Sequence, residues 1–112
     1  MNNVRSGKKG SNFDFERLVE ILSDICQFDI EINESTTLID DLELDDMDFV
    51  EIRKRVYCDL DVELEEFFEA ITYEDALFTS NFDLEAHFPE KSIKLNKLTV
   101  KILFDFIEFE KK

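Results

Sequence analysis

Glycine and proline are nearly missing from this sequence, and that scarcity limits the folds open to it. The chain of 112 residues has two glycines, both among its first ten positions, and a single proline, Pro89. Tight β-turns rely on these two residue types, so an all-β sandwich with many turns is disfavoured. Long uninterrupted helices are compatible with the composition. We therefore predict an all-α fold in a single domain.

In the first half of the chain, apolar residues recur at spacings of three and four, as on a helix with one buried face. The first predicted helix spans residues 12–28 and is capped by Ser11 or Asn12. Its stripe consists of Phe15, Leu18, Val19, Leu22, Ile25 and Cys26. A long loop follows, with Leu38, Leu42 and Leu44 expected to point inward. A second helix is predicted from Asp45 or Asp46 to about Asp59, burying Phe49, Ile52, Val56 and Leu60.

The second half of the chain is less regular. Residues 62–78 predict one helix or two short ones, with Phe67, Phe68, Ile71 and Leu77 inward. The stretch "NFDLEAHFPE" predicts a short helix capped by Asn81 and ended by Pro89. A last helix is predicted over residues 98–109, with Val100, Leu103, Phe104 and Ile107 facing inward. Ile102, Phe106 and Phe109 make a second apolar side, which either the segment before this helix or a partner, such as a second copy in a dimer, must cover.

Acidic residues dominate the charge of the chain. There are 28 Asp and Glu against 13 Lys and Arg, for a net charge of −15. Such a field repels nucleic acid phosphates and anionic lipids and attracts basic protein surfaces. We therefore expect a basic protein partner, and neither nucleic acid nor membrane. The plainer interpretation is that the charge only keeps a chain with twelve Phe soluble.

The N-terminal segment and the cysteines bear on the compartment. Residues 1–11 are polar and basic, and we interpret them as a disordered arm or an expression remnant ahead of a domain spanning residues 12–112. No apolar run follows them, so they do not form a signal peptide, and no segment has the ~20 apolar residues of a membrane span. Cys26 and Cys58 do not suggest a disulfide framework and are expected in the core. A reduced, cytoplasmic protein is expected.

Three stretches resemble the motifs of acyl carrier proteins, in the same order and at fitting distances. "DLELDDMDFVEI" (residues 41–52) resembles D-L-G-x-D-S-L-D-x-V-E-L, and "LDVEL" (60–64) resembles the F-G-I-E-I that follows. "LTVKILFDFI" (98–107) is similar to the closing I-T-V-G-D-L-V-D-Y-I. The resemblance implies an acyl-carrier-like four-helix bundle with an insertion, about residues 65–94, before the last helix. Within it, "FDLEAHFPE" is similar to a bacterial group of uncharacterised acyl-carrier-like proteins in which an acidic residue replaces the motif serine.

The serine that carries phosphopantetheine in this family is replaced here by Asp46. A serine oxygen forms a stable phosphodiester, whereas a carboxylate would form a mixed anhydride that water hydrolyses. Asp46 therefore cannot hold the prosthetic arm, and no cofactor is expected. Glu43 stands where the motif has glycine. The resemblance thus implies a carrier fold that carries nothing and serves as a protein-interaction module.

Partner recognition in the family uses the acidic rim and apolar spots of the second helix. Met47, Asp48, Val50 and Glu51 keep that character, whereas Arg53 and Lys54 stand where the family has apolar residues. The predicted docking residues, to be met by a basic patch on a biosynthetic enzyme or regulator, are Asp45, Asp46, Met47, Asp48, Val50, Glu51, Arg53 and Lys54.

Other chemistry has little support in the sequence. Read as a calcium loop from Asp41, the segment has Asp46 where glycine is needed and Ile52 where glutamate is needed, so an EF-hand is excluded. His87 is the only histidine and has no second ligand at metal-site spacing, so neither a metal site nor an enzyme is predicted. Two alternatives stay open: a true carrier modified at a non-standard serine such as Ser80 or Ser92, and an acidic nuclease inhibitor that mimics nucleic acid.

Overall fold

The computed structural model describes residues 10–26, 29–73, 78, 80–88 and 95–111, apart from the side chains of residues 10–13 and 85. These residues form five helices: α1 (Gly10–Ile25), α2 (Asp46–Leu60), α3 (Glu65–Thr72), the single turn α4 (Leu84–His87) and α5 (Val100–Glu110). They contain no β-strand, only an isolated bridge between Thr37 and Thr99. The predicted all-α class is confirmed. None of the described helices is both long and apolar enough to cross a membrane.

The helix boundaries agree with the predictions to within a few residues. α1 begins at Gly10, so Ser11 and Asn12 lie inside the helix and do not cap it, and it ends at Ile25 rather than at residue 28. The predicted cap Asn81 is also wrong. Asp83 caps α4 instead, because its carboxylate accepts the Ala86 N–H at 3.2 Å. Between residues 62 and 73 there is a single helix, α3, and the predicted residues Leu77 and Pro89 lie outside the described part.

The long loop between α1 and α2 is anchored to the start of α5. The Leu38 N–H donates to the Leu98 carbonyl at 3.1 Å, and the Val100 N–H donates to the Thr36 carbonyl at 2.9 Å. The three predicted anchors Leu38, Leu42 and Leu44 are all buried, as expected. The loop is therefore part of the packed structure, and it holds the beginning of α2 in place.

The core follows most of the predicted stripes. The stripe predictions are confirmed for Leu18, Leu22, Cys26, Ile52, Val56, Leu60, Phe67, Phe68, Ile71, Val100, Leu103 and Ile107, all of which are buried. Phe15, Val19, Ile25, Phe49 and Phe104 are only partly buried. Ile21 is buried although it was not predicted, because α1 packs against both α2 and α5 and so buries a wider face. Cys58 is exposed on α2, so its predicted place in the core is wrong.

The second apolar side of α5 is covered by the preceding segment of the same chain. The Phe106 ring is buried, stacked on Phe67 at 4.3 Å and touched edge-on by Phe82 at 5.3 Å. The segment is held at both ends, since Ser80 Oγ donates to Glu110 Oε2 at 3.0 Å and His87 Nε2 lies 3.8 Å from Asp105 Oδ2. Of the two covers predicted from sequence, the inserted segment is the one observed. Phe109, on the same side, contacts Phe82 at 5.5 Å and stays 37% exposed, and a dimer through α5 stays a prediction.

Candidate docking site at the start of the second helix

Reciprocal hydrogen bonds between two aspartates set the start of α2. The Asp45 carboxylate accepts the Asp48 N–H at 3.0 Å, and the Asp48 carboxylate accepts the Asp45 N–H at 3.0 Å. This capping box satisfies two backbone donors that a helix start leaves free. Asp45 is thus the cap, one of the two residues predicted for it, and Asp46 is the first helical residue, with an exposed side chain. The partial positive charge of a helix N-terminus favours all three carboxylates there.

Two non-glycine residues of the described part have a left-handed backbone, and they lie on either side of α2. Glu43, in the loop before the helix, has φ of 55°, and Asp61, directly after the helix, has φ of 61°. A residue with a Cβ atom is disfavoured in this region, whereas glycine adopts it readily. The conformations are nevertheless held, since the Glu43 N–H donates to Ile39 and the Asp61 N–H donates to Tyr57, both at 3.1 Å.

The acidic side chains around the helix start fall into two groups. Asp41, Asp45 and Asp48 accept backbone N–H groups and are part of the local structure. Glu43, Asp46 and Glu51 are exposed, and their side chains form no hydrogen bond or ion pair with the described residues. The carboxylates of Glu43, Asp46 and Glu51 can therefore contact a partner without breaking a hydrogen bond or ion pair to a described residue.

A groove of about 220 Å³ separates α2 from α3, beside the helix start. Phe49 of α2 contacts Phe68 of α3 edge-to-face at 5.1 Å, so the two helices meet through aromatic rings. The residues that line the groove are Asp46, Phe49, Val50, Arg53, Glu65, Phe68, Glu69, Thr72, Tyr73 and Leu95. Three of the predicted docking residues, Asp46, Val50 and Arg53, therefore share one surface with α3.

The basic side chains of α2 are largely occupied within the chain. Arg53 Nη2 lies 3.4 Å from Glu65 Oε1, and its Nε lies 3.8 Å from Glu63 Oε2. Arg55 Nη2 lies 3.0 Å from Asp24 Oδ2 of α1. Arg53 thus links α2 to α3, a role that the sequence did not indicate, while it stays among the predicted docking residues. Lys54 is exposed and makes no ion pair with any residue described.

The remaining predicted docking residues do not line the groove; they are Asp45, Met47, Asp48, Glu51 and Lys54. Met47 is 73% exposed, the largest exposed fraction among the big apolar side chains described. Lys54 lines a smaller hollow next to the groove, together with Val50, Arg53 and Tyr57. Sequence reasoning missed the α3 side of this surface, because Glu69 and Tyr73 lie far from α2 in the chain and belong to no motif.

Within the described part of the chain, no three His, Cys, Asp or Glu side chains are arranged to hold a metal ion. Comparisons with protein-family models, with curated proteins and with solved structures give no match. The likeness to acyl carrier proteins therefore stays a prediction from three sequence motifs.

Proposed function

We propose that this chain is an acyl-carrier-like protein that carries no acyl group and acts as a docking module for a basic protein surface. In this proposal the fold is a four-helix bundle with an insertion at about residues 65–94. The acidic face of α2 is the docking face, and Asp46 occupies the position of the attachment serine. The protein then has no catalytic role of its own.

The observation that carries the proposal is the place of the two left-handed residues. In the alignment with the family motifs, Glu43 matches the glycine of D-L-G-x-D-S and Asp61 matches the glycine of F-G-I-E-I. These are the two non-glycine residues of the described part with positive φ. Glycine is the residue that such backbone favours, so the geometry agrees with the first two motifs at the glycine position of each. The glycine of the closing motif matches Lys101, which is helical and carries no such support. That support comes from the backbone conformation and is independent of the residues that are identical in the chain and the motifs.

The chemistry of position 46 supports the loss of carriage. The first residue of α2 presents an exposed carboxylate and offers no alcohol oxygen to a phosphoryl group. The chain keeps the loop and the capping box around this position. The loop and the capping box shape the surface at this position, whereas the hydroxyl oxygen that would attach phosphopantetheine is missing.

The charges support docking to a basic partner. Asp46 and Glu51 are exposed and uncommitted on α2, beside the exposed apolar side chains of Met47 and Val50. Negative charges around an apolar patch attract a positively charged partner at long range. The apolar patch is then buried when the partner binds. Binding of this kind weakens as salt is added.

One experiment addresses carriage directly. The protein is incubated with a phosphopantetheinyl transferase and coenzyme A, and its intact mass is measured, with a genuine acyl carrier protein as the positive control. We expect no change in mass for this chain. A gain of one pantetheine arm would overturn the proposal, and peptide mapping would then identify the modified serine.

The alternative of a carrier modified at another serine draws little support from the one inserted serine that is described. Ser80 Oγ donates to the Glu110 carboxylate at 3.0 Å and accepts the Phe82 N–H at 3.1 Å. It lines a hollow whose other members include Glu63, Glu65 and Glu66. These carboxylates would repel the phosphate of the prosthetic arm. Ser92, the other candidate, lies outside the described residues.

A second experiment tests docking. Proteins retained from a cell extract by this chain are compared with those retained by the double variant Asp46→Lys, Glu51→Lys. Glu16→Lys serves as a control, because Glu16 is exposed on α1 and forms no ion pair with a described residue. We expect the double variant to lose the partner and the control to keep it. Recovery of nucleases as the specific partners would favour the nucleic-acid mimic and contradict the proposal.

A further inference from the structure

The groove between α2 and α3 is small for a site that binds a metabolite. Its volume is about 220 Å³, whereas pockets for small molecules usually enclose ≈ 300–1,000 Å³. A space of this size suits one large side chain delivered by a protein, as in the anchor pockets at the centre of many interfaces. From this size and the charges described below, we infer that the groove receives an apolar side chain from a positively charged, amphipathic helix of the partner. This inference rests on the proposed docking function and specifies its partner.

The interior and rim of the groove are suited to an apolar anchor. Phe68 is almost fully buried behind it, and the ring of Phe49 and the side chain of Leu95 are partly buried there. On its edges, Val50 is 37% exposed and Tyr73 is 64% exposed. An inserted side chain would therefore displace water from existing apolar surface, which is the main favourable term in association. Met47, one helical turn before Val50, adds a flexible apolar side chain of a kind common on binding surfaces.

Carboxylates lie on both sides of the groove. Asp46 belongs to the α2 side, and Glu65 and Glu69 belong to the α3 side, one turn apart. Among the described residues that line the groove, Arg53 is the single basic one, and it is already paired with Glu65 at 3.4 Å. Asp46 and Glu69 are exposed and form no ion pair with any described residue. An anchor flanked by Lys or Arg on both sides would match this arrangement of charges.

The secondary structure around the groove favours a helical occupant. An extended peptide is recognised mainly through hydrogen bonds to the open edge of a sheet. The described part of the chain has no strand to supply such an edge. The walls of the groove are instead two helices, α2 and α3, whose backbone groups beyond the first turn are paired within each helix, so recognition goes mainly through side chains. A helix with apolar residues along one face and Lys or Arg beside them presents its side chains in this way.

The test uses a synthetic peptide of Lys and Leu that forms an amphipathic helix, titrated into isotope-labelled protein and followed by amide NMR shifts. We expect the largest shifts around Val50, Glu69 and Tyr73. Val50→Arg should weaken binding about tenfold or more, as at an interface hot spot. Ile30→Arg is the matched control, because Ile30 is also a partly exposed apolar residue, 39% exposed in the loop after α1. It makes the same change of charge outside the groove.

Two results would overturn the inference while leaving the proposed function intact. One is an equal effect of Val50→Arg and Ile30→Arg, which would mean that charge alone drives binding. The other is unchanged affinity for a peptide in which Ser replaces every Leu, a comparison that uses the unaltered protein and so does not depend on how a variant folds. The proposed function is judged separately, by the intact mass and by the extract experiment.

Discussion

Replacing Glu43 by glycine tests whether the loop before α2 has the geometry of a glycine position. Glu43 has φ of 55°, and its N–H donates to the Ile39 carbonyl at 3.1 Å. The side chain is exposed and makes no hydrogen bond or ion pair with a described residue that its removal would break. Glu43→Gly therefore relieves the clash of the Cβ atom and keeps the backbone hydrogen bond.

The expected gain is the difference between two opposing terms. A left-handed conformation costs a residue with a Cβ atom about 1–2 kcal/mol. Glycine loses more conformational entropy on folding, which reduces the gain from removing the Cβ atom by roughly 0.5–1 kcal/mol. The free energy of unfolding should thus rise by about 0.5–1 kcal/mol, and Tm by about 2–5 °C for a domain of this size. Asp61→Gly should give less, because aspartate tolerates the left-handed region better than glutamate.

Urea denaturation followed by circular dichroism measures this effect. Glu43→Ala is the control, because it removes the same negative charge and keeps the Cβ atom, so the Gly variant should exceed the Ala variant. Measuring both at high salt reduces the shared contribution of charge. If Glu43→Gly is no more stable than Glu43→Ala, there is no strain at this position. The coincidence with the motif glycine would then lose its physical meaning.

Further predictions concern the packing of the inserted segment and the helix caps. Phe82→Ala should lower the free energy of unfolding by about 3–5 kcal/mol, because the ring packs on Phe106. Tyr73→Ala, at a 64% exposed site, should change it by less than about 0.5 kcal/mol. Similar values for the two variants in urea denaturation would mean that the inserted segment does not stabilise the core. Asp45→Ala should lower the free energy of unfolding by about 0.5–2 kcal/mol, and Asp45→Asn by much less, because an amide oxygen still accepts the hydrogen bond at the start of α2. Equal losses of stability for the two variants in thermal unfolding would argue against capping by this side chain. Thr99 Oγ1 accepts an N–H of the first turn of α5 at 3.2 Å, so Thr99→Ala should lower the free energy of unfolding by about 1 kcal/mol and Thr99→Ser should change it little. Amide hydrogen exchange in that turn should become faster in the Ala variant alone.

The helices were predictable from the sequence because their causes are local. Apolar residues three and four apart define a buried face, and a capping aspartate bonds to an N–H three residues away, so α2 and α5 could be located within two residues. Burial of Leu38, Leu42 and Leu44 was also predictable. Each is an apolar residue in an otherwise polar and acidic stretch.

The site was predictable only on its α2 side. Sequence reasoning named Asp46 and Val50, which do line the groove, but had no means of naming Glu69, Tyr73 or Leu95. The sequence narrowed the cap of α2 to Asp45 or Asp46, but the pattern of carboxylates did not tell which of the two caps the helix or that Asp41 closes the loop. Only coordinates show which oxygen accepts an N–H and which faces solvent.

What the sequence alone determined about this protein is its helical class, the approximate extent of its helices, its acidic charge and the carboxylate at position 46. Tertiary structure decided which sides of those helices meet. α5 is apolar on two sides, and packing against α1 and against the segment that contains Phe82 decided how each side is covered. Packing also left Cys58 exposed and opened the groove between α2 and α3. The physical reason is range: turns and caps form between residues a few positions apart, whereas burial depends on partners tens of residues away that no local pattern specifies.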